Sequence, residues 1–184
     1  MKALHILSVP LALAALGSHA GAQAGDADTP VARGAYLVRS MGCADCHTPL
    51  KPGPRGPEPD LSRGLSGHPQ GQVLQAPAAS GGPWIWGGAG TNTAFWGPWG
   101  VSYSANLTPD ATGLGAWTAE QFVQSLRTGK HAGSGRPIAP PMPWQSFGQL
   151  TDADLQAMFA YLKSQPPVRN MVPSYQPPTA AAGK

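Results

Sequence analysis

The chain is poor in charge, poor in cysteine and lacks any long apolar run. Only 11% of its 184 residues are charged, and the formal net charge is +3. Its basic residues are scattered, so no field strong enough to hold nucleic acid is expected. Cysteine occurs only at Cys43 and Cys46, and no further Cys or paired His is spaced to complete a zinc site. The longest apolar run is Ile6–Leu16, interrupted by Ser8 and Pro10. Eleven residues are too few to cross a bilayer. The run follows Met1-Lys2 and precedes the small-residue triplet Ala22-Gln23-Ala24, the pattern of a secretory signal peptide. We place the signal at residues 1–24, with cuts after Ala20 or Ala22 as alternatives, and expect no transmembrane anchor in the mature chain. No cysteine follows the run closely enough to be lipidated.

What the chain does contain is Cys43-Ala44-Asp45-Cys46-His47. Two thiols separated by two residues can add to the two vinyl groups of one haem, and the histidine that follows can give a ring nitrogen to its iron. The competing readings are a redox CxxC pair, which needs a βαβ context that is not visible here, and half of a zinc site. One covalent haem c uses both thiols. Export agrees with it, because such attachment takes place outside the energy-transducing membrane.

Three short helices are predicted. The first covers about Thr29–Ser40, with Thr29 as cap and Pro30 at the first helical position. The second covers about Thr118–Arg127, with Thr118 and Gln121 as a capping box and Gly129 as its end. The third covers about Thr151–Ser164, with Leu155, Met158, Phe159 and Leu162 as its apolar stripe and Pro166-Pro167 as its stop. Residues 48–105 hold nine prolines, twelve glycines and four of the six tryptophans. A disordered linker has no use for that much apolar surface, so this stretch is expected as ordered loop structure. The alternations Trp84-Trp86 and Val101-Tyr103-Ala105 suggest a small hairpin. The fold class expected is mainly α, a single domain over 25–168 with the 48–105 insertion and a flexible tail over 169–184.

A second axial ligand decides between an electron carrier and a haem open to small molecules. Met41 lies beside the first thioether on the His47 side. Met158 is on the apolar stripe of the last helix, and Met171 is in a proline-bounded tail. Met142 lies in Ala139-Pro140-Pro141-Met142-Pro143-Trp144, a run that resists helix and strand and suits a thioether held at a fixed place. His68 is expected at the surface, and His131 in a polar loop is the rival ligand. Met142 is the ligand expected opposite His47.

These motifs resemble class I c-type cytochromes, and more closely the cytochrome c modules of bacterial dehydrogenases of the alcohol or nicotinate type. The residues that carry the closer resemblance are Asn106-Leu107-Thr108-Pro109-Asp110, Thr112-Gly113-Leu114-Gly115 with Trp117, Gln121-Phe122 with Leu126-Arg127 and Gly129, and Pro140-Pro141-Met142-Pro143-Trp144. Such modules often come in tandem, whereas this chain has one haem motif. The resemblance implies that the first and last helices cross near Gly34 and Tyr36, with Tyr161 or Phe159 facing them. It also implies that Trp117 and Arg136 lie near the haem propionates, where an indole N–H and a guanidinium are suitable donors. Asn106 is either a turn residue or a haem contact. The function implied is a periplasmic mono-haem electron carrier, with a dehydrogenase as donor and a cytochrome or oxidase as acceptor. The rival is a haem enzyme, peroxidase-like, or a ligand sensor with a displaceable sixth ligand.

Overall fold

Helices form where the sequence supplies a cap and an apolar face, and the computed structural model describes residues 29–76 and 83–178. The expected signal peptide lies outside the described residues. Helix α1 (Pro30–Ser40) starts at Thr29, whose hydroxyl accepts the Ala32 amide at 3.1 Å. Helix α2 (Cys43–His47) follows after Gly42, which turns the chain at φ 66°. Helix α3 (Ala119–Thr128) has the full capping box and ends on Gly129 at φ 67°, so two orphan amides are satisfied at one end and the left-handed residue is one that tolerates it. Helix α4 (Trp144–Phe147) is a single turn. Helix α5 (Asp152–Lys163) is capped by Thr151.

The main core forms where α1, α3 and α5 meet. Leu37, Val38, Phe122, Val123, Leu126, Leu155, Met158 and Leu162 are buried in one cluster, each contributing about 1.5–3 kcal/mol. Helices α1 and α5 touch at Gly34, where an added Cβ would sit 1.9 Å from the Ala157 carbonyl oxygen and 2.8 Å from Tyr161 Cβ. Tyr161 is therefore the aromatic at the crossing, while Phe159 packs on Phe122 with ring centroids 5.5 Å apart. Tyr36 faces out and is 60% exposed.

The expectation of a mainly helical chain is corrected here, because helix accounts for 33% and strand for 15% of the described residues. Strand comes from the insertion. Strands β1 (Leu50–Gly53) and β2 (Gly56–Pro59) form an antiparallel ribbon with Leu50 opposite Pro59. Its prolines are tolerated because both strands have an open edge. Strands β3 (Gly87–Gly88), β4 (Ala94–Gly97) and β5 (Gly100–Tyr103) form a second antiparallel sheet in that order. The alternation at Val101 and Tyr103 does mark a strand. Its hairpin partner is β4, with Phe95 opposite Ser102, whereas Trp84, Ile85 and Trp86 lie outside the ladder and are exposed.

Within the 169–184 stretch expected as a flexible tail, residues 169–178 make specific contacts with the insertion. Gln176 exchanges both backbone hydrogen bonds with Val101, at 2.8 and 3.0 Å, and so adds a rung to the free edge of β5. Asn170 is fully buried, and its side chain bonds to Arg63, Gln70, Ser66 and His68. A side chain with both donors and both acceptor sites in use fixes the segment against the insertion.

Candidate functional site

The turn at Gly42 sets the direction of α2, and the i, i+3 spacing of Cys43 and Cys46 puts both side chains on one helical face. Neither thiol is in a disulfide. Cys43 packs against the main core, and burial pushes its thiol up to about 11. Cys46 is also raised, by burial and then by the nearby Asp45 carboxylate. A redox CxxC has a depressed thiol pKa, the opposite of the direction at Cys43 and Cys46. Ala44 and Asp45 between them are exposed.

His47 is buried, and its Nδ1 lies 2.8 Å from the Ala105 carbonyl oxygen. A carbonyl can only accept, so Nδ1 carries the proton and Nε2 keeps its lone pair. Burial lowers the His47 pKa, which favours the neutral ring a metal requires. Ala105 lies 58 residues along the chain, and no side-chain pattern signals a backbone carbonyl in this role. The Gly67 amide donates to the His47 carbonyl at 2.8 Å, and the Leu65 amide to the Thr48 hydroxyl at 3.0 Å. The insertion therefore grips the chain directly after the motif.

Met142 is partly buried and packs against the same core cluster as Cys43, Trp117 and Met41. Met158 is a core residue of α5, as expected, and Met171 is 64% exposed. His68 is not at the surface. It is fully buried, with Nε2 donating to the Gln72 carbonyl at 2.7 Å and Nδ1 2.8 Å from the Thr93 hydroxyl, so neither nitrogen is free for a metal. His131 is exposed and stands edge-on to Trp117, centroid to centroid 4.8 Å. Arg136 is exposed, and its carbonyl accepts the His131 amide at 2.9 Å. Trp117, His131 and Arg136 thus form one neighbourhood at the edge of the core. Asn106 is a structural residue. Its Oδ1 accepts from the Thr108 amide and hydroxyl, and its Nδ2 donates to Val168 O at 2.8 Å.

These observations fit a covalent haem: two protonated, unpaired thiols on one turn, a neutral imidazole with one nitrogen pinned and the other free, and a thioether at the same apolar cluster. No group of three or more His, Cys, Asp or Glu side chains that could hold a metal ion occurs among the described residues. No helix among them is long and apolar enough to cross a membrane.

Residues 31–166 match the family model described as cytochrome c. The chain is 39% identical over 117 residues to one of the subunits of the nicotinate dehydrogenase of Pseudomonas putida, covering 63% of this chain and 9% of that protein. It is 31% identical over 136 residues to the fructose dehydrogenase cytochrome subunit of Gluconobacter japonicus, covering 73% of this chain and 21% of the relative. It is also 31% identical over 146 residues to the cytochrome c subunit of the quinone alcohol dehydrogenase of Gluconobacter oxydans, covering 78% and 23%. The chain thus spans no more than about a quarter of the length of these relatives.

Proposed function

This chain belongs to the cytochrome c family, and on that premise we propose that it is a periplasmic mono-haem electron carrier. It takes single electrons from a dehydrogenase and passes them to a cytochrome or oxidase of the respiratory chain. Membership of the family implies a covalently bound haem c, and the fructose and alcohol dehydrogenase relatives are by name the cytochrome subunits of dehydrogenases. The signal peptide at residues 1–24 provides the export this reading needs.

The observation that carries the proposal is the hydrogen bond from His47 Nδ1 to the Ala105 carbonyl. It fixes the proton on Nδ1 and so leaves the Nε2 lone pair for a metal, while burial keeps the ring neutral against the opposing pull of that carbonyl. Cys43 and Cys46 would supply the two thioethers, and His47 and Met142 would hold the iron. The bound haem supplies a one-electron couple whose potential is raised by thioether ligation. Phe147, Leu65 and Leu114 exclude water from the cluster around these ligands, which disfavours the extra charge of the oxidised state. Trp117 and Arg136 would donate to the haem propionates. Ala44 and Asp45 on the outer face of α2 are exposed, so the edge beside the thioethers is the route for electrons. Carrier encounters there bury little surface and are transient.

The test is expression in a host able to install haem c. The ferric protein should show the weak near-infrared sulfur-to-iron band, and Met142→Ala should abolish it. A high-spin ferric spectrum in the wild-type protein would overturn the carrier reading in favour of an enzyme or sensor.

A further inference from the structure

We propose that the inserted β-sheet serves as a clamp on the methionine loop, with Ser102 of β5 as the positioning residue that holds Met142 in place. This rests on the reading of Met142 as the axial ligand. Pro140, Pro141 and Pro143 leave residues 140–143 with a single amide proton, that of Met142. Such a loop cannot be anchored through its amides. It is held through its carbonyls, and three of these bonds are local: Trp144 N to Met142 O at 2.9 Å, and Ser146 N and Phe147 N to Pro143 O at 3.0 and 3.3 Å. Among the described residues, the hydrogen bond that ties 140–143 to a part of the chain distant in sequence is Ser102 Oγ to Pro140 O, at 2.6 Å.

Ser102 is itself fixed from three sides. Its side chain is buried, and its Oγ lies 3.3 Å from the Phe95 carbonyl across the β4–β5 ladder. The hydroxyl has one proton, and the shorter distance assigns it to Pro140. The indole N–H of Trp99 donates to the same oxygen at 3.3 Å, which orients the hydroxyl toward Pro140. The strand that carries Ser102 pairs with β4 on one side and, through Val101, with Gln176 on the other. Tyr175 also bonds to the Trp99 carbonyl. Residue 102 is therefore fastened between β4 and the Gln176 segment, and the loop it holds makes no other hydrogen bond to a distant part of the chain among the described residues. A thioether is a weak ligand, so its retention depends on how little the loop can move away.

The test is competition by exogenous imidazole in the ferric, haem-loaded protein, followed by loss of the near-infrared sulfur band. With the clamp removed in Ser102→Ala, the displaced state gains about tenfold in population, so imidazole should act at about tenfold lower concentration. The amide of Met142 should also exchange its hydrogen faster. Ser102→Thr keeps the hydroxyl and should restore both readings toward wild type, and Ser102→Cys, a weaker donor, should fall between. An imidazole midpoint in Ser102→Ala and Ser102→Cys equal to that of the wild type would overturn the clamp. Met142→Ala separates the two ideas: if it keeps the sulfur band, the ligand assignment is wrong, whereas loss of the band with an unchanged Ser102→Ala midpoint refutes the clamp alone.

Discussion

At His68 the ring is fully buried with both nitrogens engaged, and burial holds its pKa below the ordinary imidazole value of 6.5. Nearby Arg63 adds to the lowering, while the carbonyl of Gln72 opposes it. The sign of the consequence follows from proton uptake. Just below pH 6.5 the unfolded chain binds a proton that the folded chain refuses, so stability is complete above that pH and declines as pH falls toward the folded-state value. In the haem-loaded protein, denaturation midpoints measured between about pH 5 and 7 should fall with acidity. His68→Gln, which cannot titrate, should show a flatter curve, and equal slopes would exclude His68 as the source. His47 is governed by the same burial, but there the neutral ring is the form a metal needs. The two histidines differ in what remains free: His47 keeps Nε2 available, and His68 keeps nothing.

Among the elements, the α1–α5 crossing depends most on one residue type. Gly34 allows the backbones to meet, and a methyl there would stand 1.9 Å from the Ala157 carbonyl oxygen. Alanine is the better helix former by about 1 kcal/mol, but the clash must push two packed helices apart, at a cost of about 1–3 kcal/mol or more. The clash should win. Gly34→Ala should lower unfolding free energy by about 2 kcal/mol, as read by chemical denaturation. A more stable variant would mean that the helices can slide apart freely. Arg33 and Asp154 bridge the same pair at 2.8 Å, but the guanidinium side is about half exposed, and such pairs contribute little.

Across the whole molecule, the insertion and the C-terminal segment stabilise one another. Asn170 is the junction, donating to the carbonyls of Ser66 and His68 at 2.6 and 2.9 Å and accepting from Arg63 and the Gln70 amide. Asn170→Ala would leave the Ser66 and His68 carbonyls, the Gln70 amide and the Arg63 guanidinium without this partner, each of them that stays buried and unsatisfied costing about 1–3 kcal/mol. We expect a loss of about 3 kcal/mol in denaturant unfolding, with faster hydrogen exchange in 66–70. An unchanged exchange pattern there would show that the junction is replaceable. The insertion grips the motif as well, through Gly67 at His47 and through Asn92, whose side-chain amide donates to the Asp45 carbonyl at 2.8 Å. A stretch rich in proline and glycine thus acts as part of the scaffold of the site.

Local chemistry made much of this protein legible in its sequence. Thr29, Thr118 and Thr151 cap the three helices they were expected to cap, because a cap and its helix lie within a few residues of each other. The thiol spacing and the adjacent histidine are likewise local, and so is the proline run around Met142. Tertiary structure decided what depends on distant partners. Ala105 orienting His47, Ser102 holding Pro140, and Gln176 completing the edge of β5 all join residues more than 35 positions apart. A backbone carbonyl carries no side-chain signature, and a buried histidine such as His68 looks in sequence like a surface one. The balance between helix and strand escaped for the same reason: β1–β5 are short, broken by proline and glycine, and exist because they pair with one another and, at β5, with Gln176.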